Sequence, residues 1–90
     1  MQLRWSPDAV EDLEKIIEWA ARDNRGAGRA LARKIHKELS RLCKFPFSWR
    51  RGRVAGTREL VIGLYNVVYR LKDDEVIEIV RIYQYPQDWP

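Results

Sequence analysis

The 90-residue chain predicts an α+β fold of order β-α-α-β-β-β, in which an N-terminal helical hairpin packs on a small antiparallel sheet. Three observations predict it. Apolar residues recur at spacings of three and four through two consecutive segments of the first half. A proline-bearing stretch, Phe45-Pro46-Phe47-Ser48-Trp49, then ends the helical pattern, since proline cannot continue a helix. Beyond it the apolar period shortens to two, in runs rich in β-branched and aromatic residues.

Taken in order, Leu3-Arg4-Trp5 reads as a short first strand. Ser6-Pro7-Asp8 supplies a helix start: a hydroxyl to cap free N–H groups, proline at the first helical position, and an acid in the first turn. Val10, Leu13, Ile17 and Ala20, with Ile16 alongside, give this helix an apolar face, and Glu11, Asp12, Glu14, Lys15 and Glu18 fall largely on the other side. Asp23-Asn24-Arg25-Gly26 interrupts the pattern. A second helix is expected from about Gly28 to Leu42, with Leu31, Ile35, Leu39 and Leu42 as its buried line. Two amphipathic helices with so short a link form an αα-hairpin. Glu59 to Leu64 then alternates, with Leu60, Ile62 and Leu64 on one face. Tyr65 to Leu71 and Val76 to Tyr83 follow as strands, joined by the turn-like Lys72-Asp73-Asp74-Glu75. The hairpin should cover one face of the sheet and leave the other partly open, with apolar surface needing a partner. Residues 1–90 are expected to form one domain, short enough to bury a modest fraction of its surface.

Composition excludes several classes. With 46% hydrophobic and 33% charged residues the chain is not of disordered type. No apolar run approaches the roughly 20 residues that cross a bilayer, and Met1-Gln2-Leu3-Arg4-Trp5 lacks the apolar core of a secretion signal. A soluble cytoplasmic protein with no membrane partner is expected. The lone Cys43 can form no internal disulfide and no zinc site without further ligands, so no metal or other cofactor is expected. Gly52 and Gly56 read as needs of a tight loop, because no P-loop or dinucleotide motif surrounds them.

The net charge of +4 conceals a sharper division. Residues 1–24 carry three Lys/Arg against six Asp/Glu, and residues 59–90 carry the same numbers. Between them, residues 25–58 carry eleven Lys/Arg against Glu38 alone. This block points to a polyanionic or acidic partner, and nucleic acid and an acidic polypeptide both fit it.

The segment Gly52-Arg53-Val54-Ala55-Gly56-Thr57-Arg58-Glu59-Leu60-Val61-Ile62 is followed by Asn66-Val67-Val68-Tyr69-Arg70-Leu71 and by Gln87-Asp88-Trp89-Pro90. In order and spacing these resemble the RelE/ParE superfamily of toxins from bacterial toxin–antitoxin modules. The closest likeness is to the ParE-like branch with a G-T-R-E-L loop and a terminal Q-x-W-P. The resemblance implies a type II toxin that arrests growth and is neutralised by a cognate antitoxin, meeting operator DNA only through the antitoxin complex. It leaves three mechanisms open. ParE-like members poison DNA gyrase by binding and need no general base. RelE-like members cleave mRNA on the ribosome without metal: basic side chains hold the scissile phosphate while a base activates the ribose 2′-hydroxyl. An inactive relative would serve only in a repressor complex.

Arg53, Arg58 and Arg81 are the candidate phosphate ligands, expected to converge at one end of the open face. For Arg58 a pairing with Glu59 or Glu78 is the structural alternative. For a nuclease, Arg58 and Arg81 would be catalytic, with Tyr85 as the best remaining acid. The likeness puts doubt on that chemistry. Gln84 stands where the branch commonly has histidine, and an amide exchanges no proton near neutral pH. Asn66 stands where some nuclease relatives carry arginine. His36, within the second helix, reads as a surface or packing residue. The balance favours the binding poison, with Trp49, Arg50, Arg51, Arg53, Gln84 and Trp89 as residues meeting target or phosphate. Trp49 is the best stacking candidate among the tryptophans, Trp89 docks the tail, and Trp5 and Trp19 are expected in core or helix–sheet contacts.

Overall fold

The computed structural model describes residues 1–46, 50–52, 54–73 and 75–84. Its elements are β1 (Gln2–Trp5), α1 (Pro7–Asp23), α2 (Arg25–Lys44), β2 (Arg50–Arg51), β3 (Arg58–Ile62), β4 (Tyr65–Leu71) and β5 (Val76–Gln84). The α+β architecture and the helical hairpin are as the sequence predicts. The sheet is more elaborate than expected. It has five strands in the order β1-β5-β4-β3-β2, and β1 lies parallel to β5 while the other pairs are antiparallel. A periodicity-2 pattern fixes which residues share a face but not which strand becomes a neighbour.

Helix α1 starts as its sequence dictates. The Ser6 hydroxyl accepts the Ala9 N–H at 3.0 Å, with Pro7 at the helix start and Asp8 in the first turn. The same hydroxyl donates to the Val80 carbonyl at 2.7 Å, so one side chain caps the helix and holds a strand. The link to α2 is one residue. Asn24 ends α1 and caps α2, its Oδ1 accepting the Gly26 N–H at 2.8 Å. This moves the start of α2 to Arg25, ahead of the expected Gly28, because a capping amide removes the need for a longer break.

The core lies between hairpin and sheet. It joins Ala9, Ile35, Leu39 and Leu42 to Leu60, Ile62, Val67, Tyr69, Ile77, Ile79 and Ile82. Two expected members are elsewhere. Val10 is exposed and Ala9 takes its place, since α1 turns a small side chain inward where Ser6 draws it against β5. Leu64 is exposed at 66%, beyond the end of β3 in a two-residue turn that Gly63 opens with φ +60°. A positive φ at the first turn position suits glycine and matches the twist of a hairpin.

The second face is not open at its centre. Glu59, Asn66 and Val68 alternate with core residues and so point away from the helices, yet they are 2%, 4% and 0% exposed. Trp19, expected in a packing contact, is 66% exposed on α1 with the Arg22 guanidinium 5.0 Å from its ring centroid. Trp5 packs against the core as expected.

Candidate target-binding site

The loop from β2 to β3 is built around Thr57. Its hydroxyl donates to the Val54 carbonyl at 2.6 Å, its N–H to the same carbonyl at 3.1 Å, and its own carbonyl accepts the Gly52 N–H at 2.8 Å. A Cβ on Gly52 would sit 2.1 Å from the Thr57 hydroxyl, so only glycine fits there. This closed loop sets Arg51 and Arg58 directly opposite one another across the β2–β3 pair. Like charges in such cross-strand positions repel. Together with Gly56, Thr57 and Leu71 they line a recess of about 320 Å³. Its electropositive lining can hold phosphate or carboxylate oxygens through bidentate guanidinium contacts.

Arg58 also faces Tyr69 of β4 in register. The buried Tyr69 hydroxyl donates to the Pro46 carbonyl at 2.9 Å. Burial raises the pKa of this phenol, and the nearby Arg58 charge partly offsets the effect. A neutral, donating Tyr69 therefore ties the end of α2 to the strand position beside Arg58.

On the opposite face Asn66 is committed to structure. Its amide donates to Glu59 at 3.1 Å, and among the described residues its Oδ1 has no partner. Leaving such an acceptor buried costs about 1–3 kcal/mol.

Arg81 occupies a different environment. Its Nε and Nη2 donate to the two oxygens of Asp12 at 2.8 and 3.0 Å, and Asp12 Oδ2 also accepts the Ile82 N–H at 2.9 Å. The hydrogen bond and charge of Asp12 raise the guanidinium pKa, and the group lies 4.9 Å from the Tyr83 ring centroid. Arg58 and Arg81 do not converge. β4 lies between their strands, and Arg81 is drawn to α1 at the outer edge of β5. The expected meeting assumed that strand neighbours share a face at one end, but a register shift after Val68 leaves Val80 without an opposite residue and turns Arg81 outward.

Gln84 is exposed at the end of β5, beside a groove of about 330 Å³ formed with Ile16, Trp19, Tyr65, Ile82 and Tyr83. Burial raises the Tyr83 pKa, and the Arg81 charge opposes that rise. His36 is exposed on α2. Arg50 pairs in register with Glu59 through its backbone. Trp49, Arg53, Tyr85 and Trp89 lie outside the described residues. The Asp12–Arg81 bond escaped the sequence reading because its partners are 69 residues apart, and no local pattern signals it. No group of three or more potential metal ligands occurs among the described residues.

The chain is of the class of small toxins of type II toxin–antitoxin modules. By TM-score 0.79 and 22% identity, over 93% of this chain and 95% of the other, the structure is similar to one from the chromosomal ParDE system of P. aeruginosa. It is similar at TM-score 0.68 and 23% identity, over 92% and 95%, to one from the toxin–antitoxin complex RelBE2 of Mycobacterium tuberculosis. It is also 31% identical over 91 aligned positions to Y4kP, a candidate toxin of Sinorhizobium fredii, covering 99% of this chain and 93% of that protein. Residues 3–89 match the model of the ParE toxin of the type II toxin–antitoxin system parDE, and the chain belongs to that family. Among the described residues no helix is long and apolar enough to cross a membrane.

Proposed function

We propose that this toxin arrests growth by binding and poisoning DNA gyrase, and that a cognate antitoxin neutralises it. The observation that carries this reading is the chemistry at the end of β5. A nuclease needs a group there that exchanges a proton near neutral pH. Gln84 cannot do so, the Asn66 amide is engaged by Glu59, and the Arg81 guanidinium is clamped by Asp12. Tyr83, with its raised pKa, is a poor base. A poison that acts by binding needs none of these functions. Membership of the ParE toxin family supports the same reading. Arg50, Arg51 and Arg58 are then the residues that meet the target, with the recess beside Thr57 as an anchor for its acidic groups.

Ribosome-dependent mRNA cleavage is the second reading, favoured by the paired guanidiniums of that recess, which suit a scissile phosphate. Pulse-labelling of DNA and protein synthesis just after induction without antitoxin separates the two. The expected result is an early fall in DNA synthesis with translation continuing, and inhibition of gyrase supercoiling by the purified chain. An early fall in translation, with cleaved messages, replaces this reading with the nuclease. Harmless expression leaves only a role in a repressor complex.

A further inference from the structure

Helix α2 carries a feature that neither mechanism uses. Arg25, Arg29, Arg33, Lys37 and Arg41 recur every fourth residue, and all five are exposed. At 1.5 Å rise per residue this row extends about 24 Å. Most of it lies opposite the buried line of Gly28, Ile35, Leu39 and Leu42, so packing against the sheet turns it to solvent. Lys34 and Lys44 are exposed on the same helix. Among the described residues the row has one acidic neighbour in contact, Glu38, at 3.8 Å from Arg41. The first turn of α2 has no acid.

This pattern opposes what a solitary helix favours. Like charges four residues apart repel, and a cation at a helix N-terminus faces the positive end of the dipole. A surface needing solubility alone mixes its signs, as α1 does with Glu11 and Lys15 at 2.9 Å. A continuous ridge of one sign is the complement of a regular polyanion.

We propose that α2 docks on the phosphate backbone of duplex DNA, independently of base sequence. The helix has no aromatic side chain other than His36, so it lacks the stacking platforms that single strands require. A helix about 10–12 Å across matches the B-form major groove, about 12 Å wide, whereas the A-form major groove of duplex RNA is deep and narrow. Arginines predominate in the row and make bidentate phosphate contacts. Such docking is independent of which cellular enzyme the toxin inhibits and needs no antitoxin.

The test uses the full chain and fluorescently labelled 25-base-pair duplexes of two unrelated sequences, titrated from 50 to 200 mM salt. The expected result is equal affinity for both, with a log–log salt slope of about 4, as four to five neutralised phosphates imply. Arg29→Gln/Arg33→Gln/Lys37→Gln should weaken binding on the order of a hundredfold and lower the slope by about 3. Arg29→Lys/Arg33→Lys, which keeps the charge, should retain most of the binding and the slope. Circular dichroism of each variant checks that α2 is intact. Absence of duplex binding at 50 mM salt overturns the proposal, and so does a triple glutamine variant that binds as well as the parent. Equal affinity for polyglutamate at the same salt also overturns it, in favour of an acidic polypeptide.

Discussion

Helix α1 is joined to the sheet through hydrogen bonds as well as apolar contact, whereas α2 is joined to it through hydrocarbon. From α1 and its cap, Ser6 and Asp12 take over the outer edge of β5 where β1 stops. Ser6 meets the Ile79 and Val80 carbonyls, and Asp12 takes the Ile82 N–H and the Arg81 guanidinium. The acids of α1 are thus partly structural. From α2, Ile35, Leu39 and Leu42 enter the core, while its cations stay in water. One hairpin therefore divides two tasks that a single amphipathic helix would have to combine. α1 completes a strand ladder, and α2 is free to present charge.

The comparison can be tested by removing each attachment. Leu39→Ala should have the largest effect, a loss of about 3 kcal/mol, because it removes buried methyl groups and leaves a cavity beneath α2. Urea unfolding followed by circular dichroism measures it, and a cost under 1 kcal/mol would mean that the apolar anchor is misjudged. Asp12→Ala should cost less, about 2 kcal/mol, since it orphans the Ile82 N–H and a guanidinium that retains 34% exposure to water. Hydrogen exchange should then quicken at Ile82 and leave Leu39 slow. Equal quickening at both sites would show that the two helices detach as one unit.

The smallest effect concerns pH. Hydrogen bonding to Arg70 at 2.7 Å, assisted by the charges of Arg70 and Lys72, lowers the Glu78 pKa below its ordinary value of 4.5. A carboxylate with a depressed folded-state pKa adds stability above its unfolded pKa and loses it as pH falls through the folded one. Stability should therefore decline below about pH 4.5 in the parent, and Glu78→Gln should be somewhat less stable at pH 7, converge with the parent in acid, and so show a shallower decline. An identical acid limb in both proteins would show that Glu78 does not contribute to it.

What the sequence made legible was local. Ser6-Pro7-Asp8, the buried line of α2 and the run Tyr65–Leu71 could be read because each obeys a short-range rule of capping or period. The inward turn of Ala9 could not, since spacings of three and four fit Ala9 and Val10 alike. The parallel seat of β1 beside β5 and the bond of Asp12 to Arg81 join opposite ends of the chain, where spacing carries no information. At the candidate site, Arg51 and Arg58 were singled out by composition and resemblance, but their direct opposition depends on β2, two residues long and too short to show a period.

The position of β5 has a further consequence, in time. Of the described strands it is the last to leave the ribosome, yet it lies inside the sheet, between the first strand and β4. The hairpin can form while the chain is still emerging, but its underside has no complete sheet to rest on until residues 76–84 are made. At synthesis rates of roughly 5–20 residues per second, the interval between completion of α2 and of β5 is about 2–8 seconds. During that interval α2 has its charges in place but only α1 and an incomplete sheet beneath them.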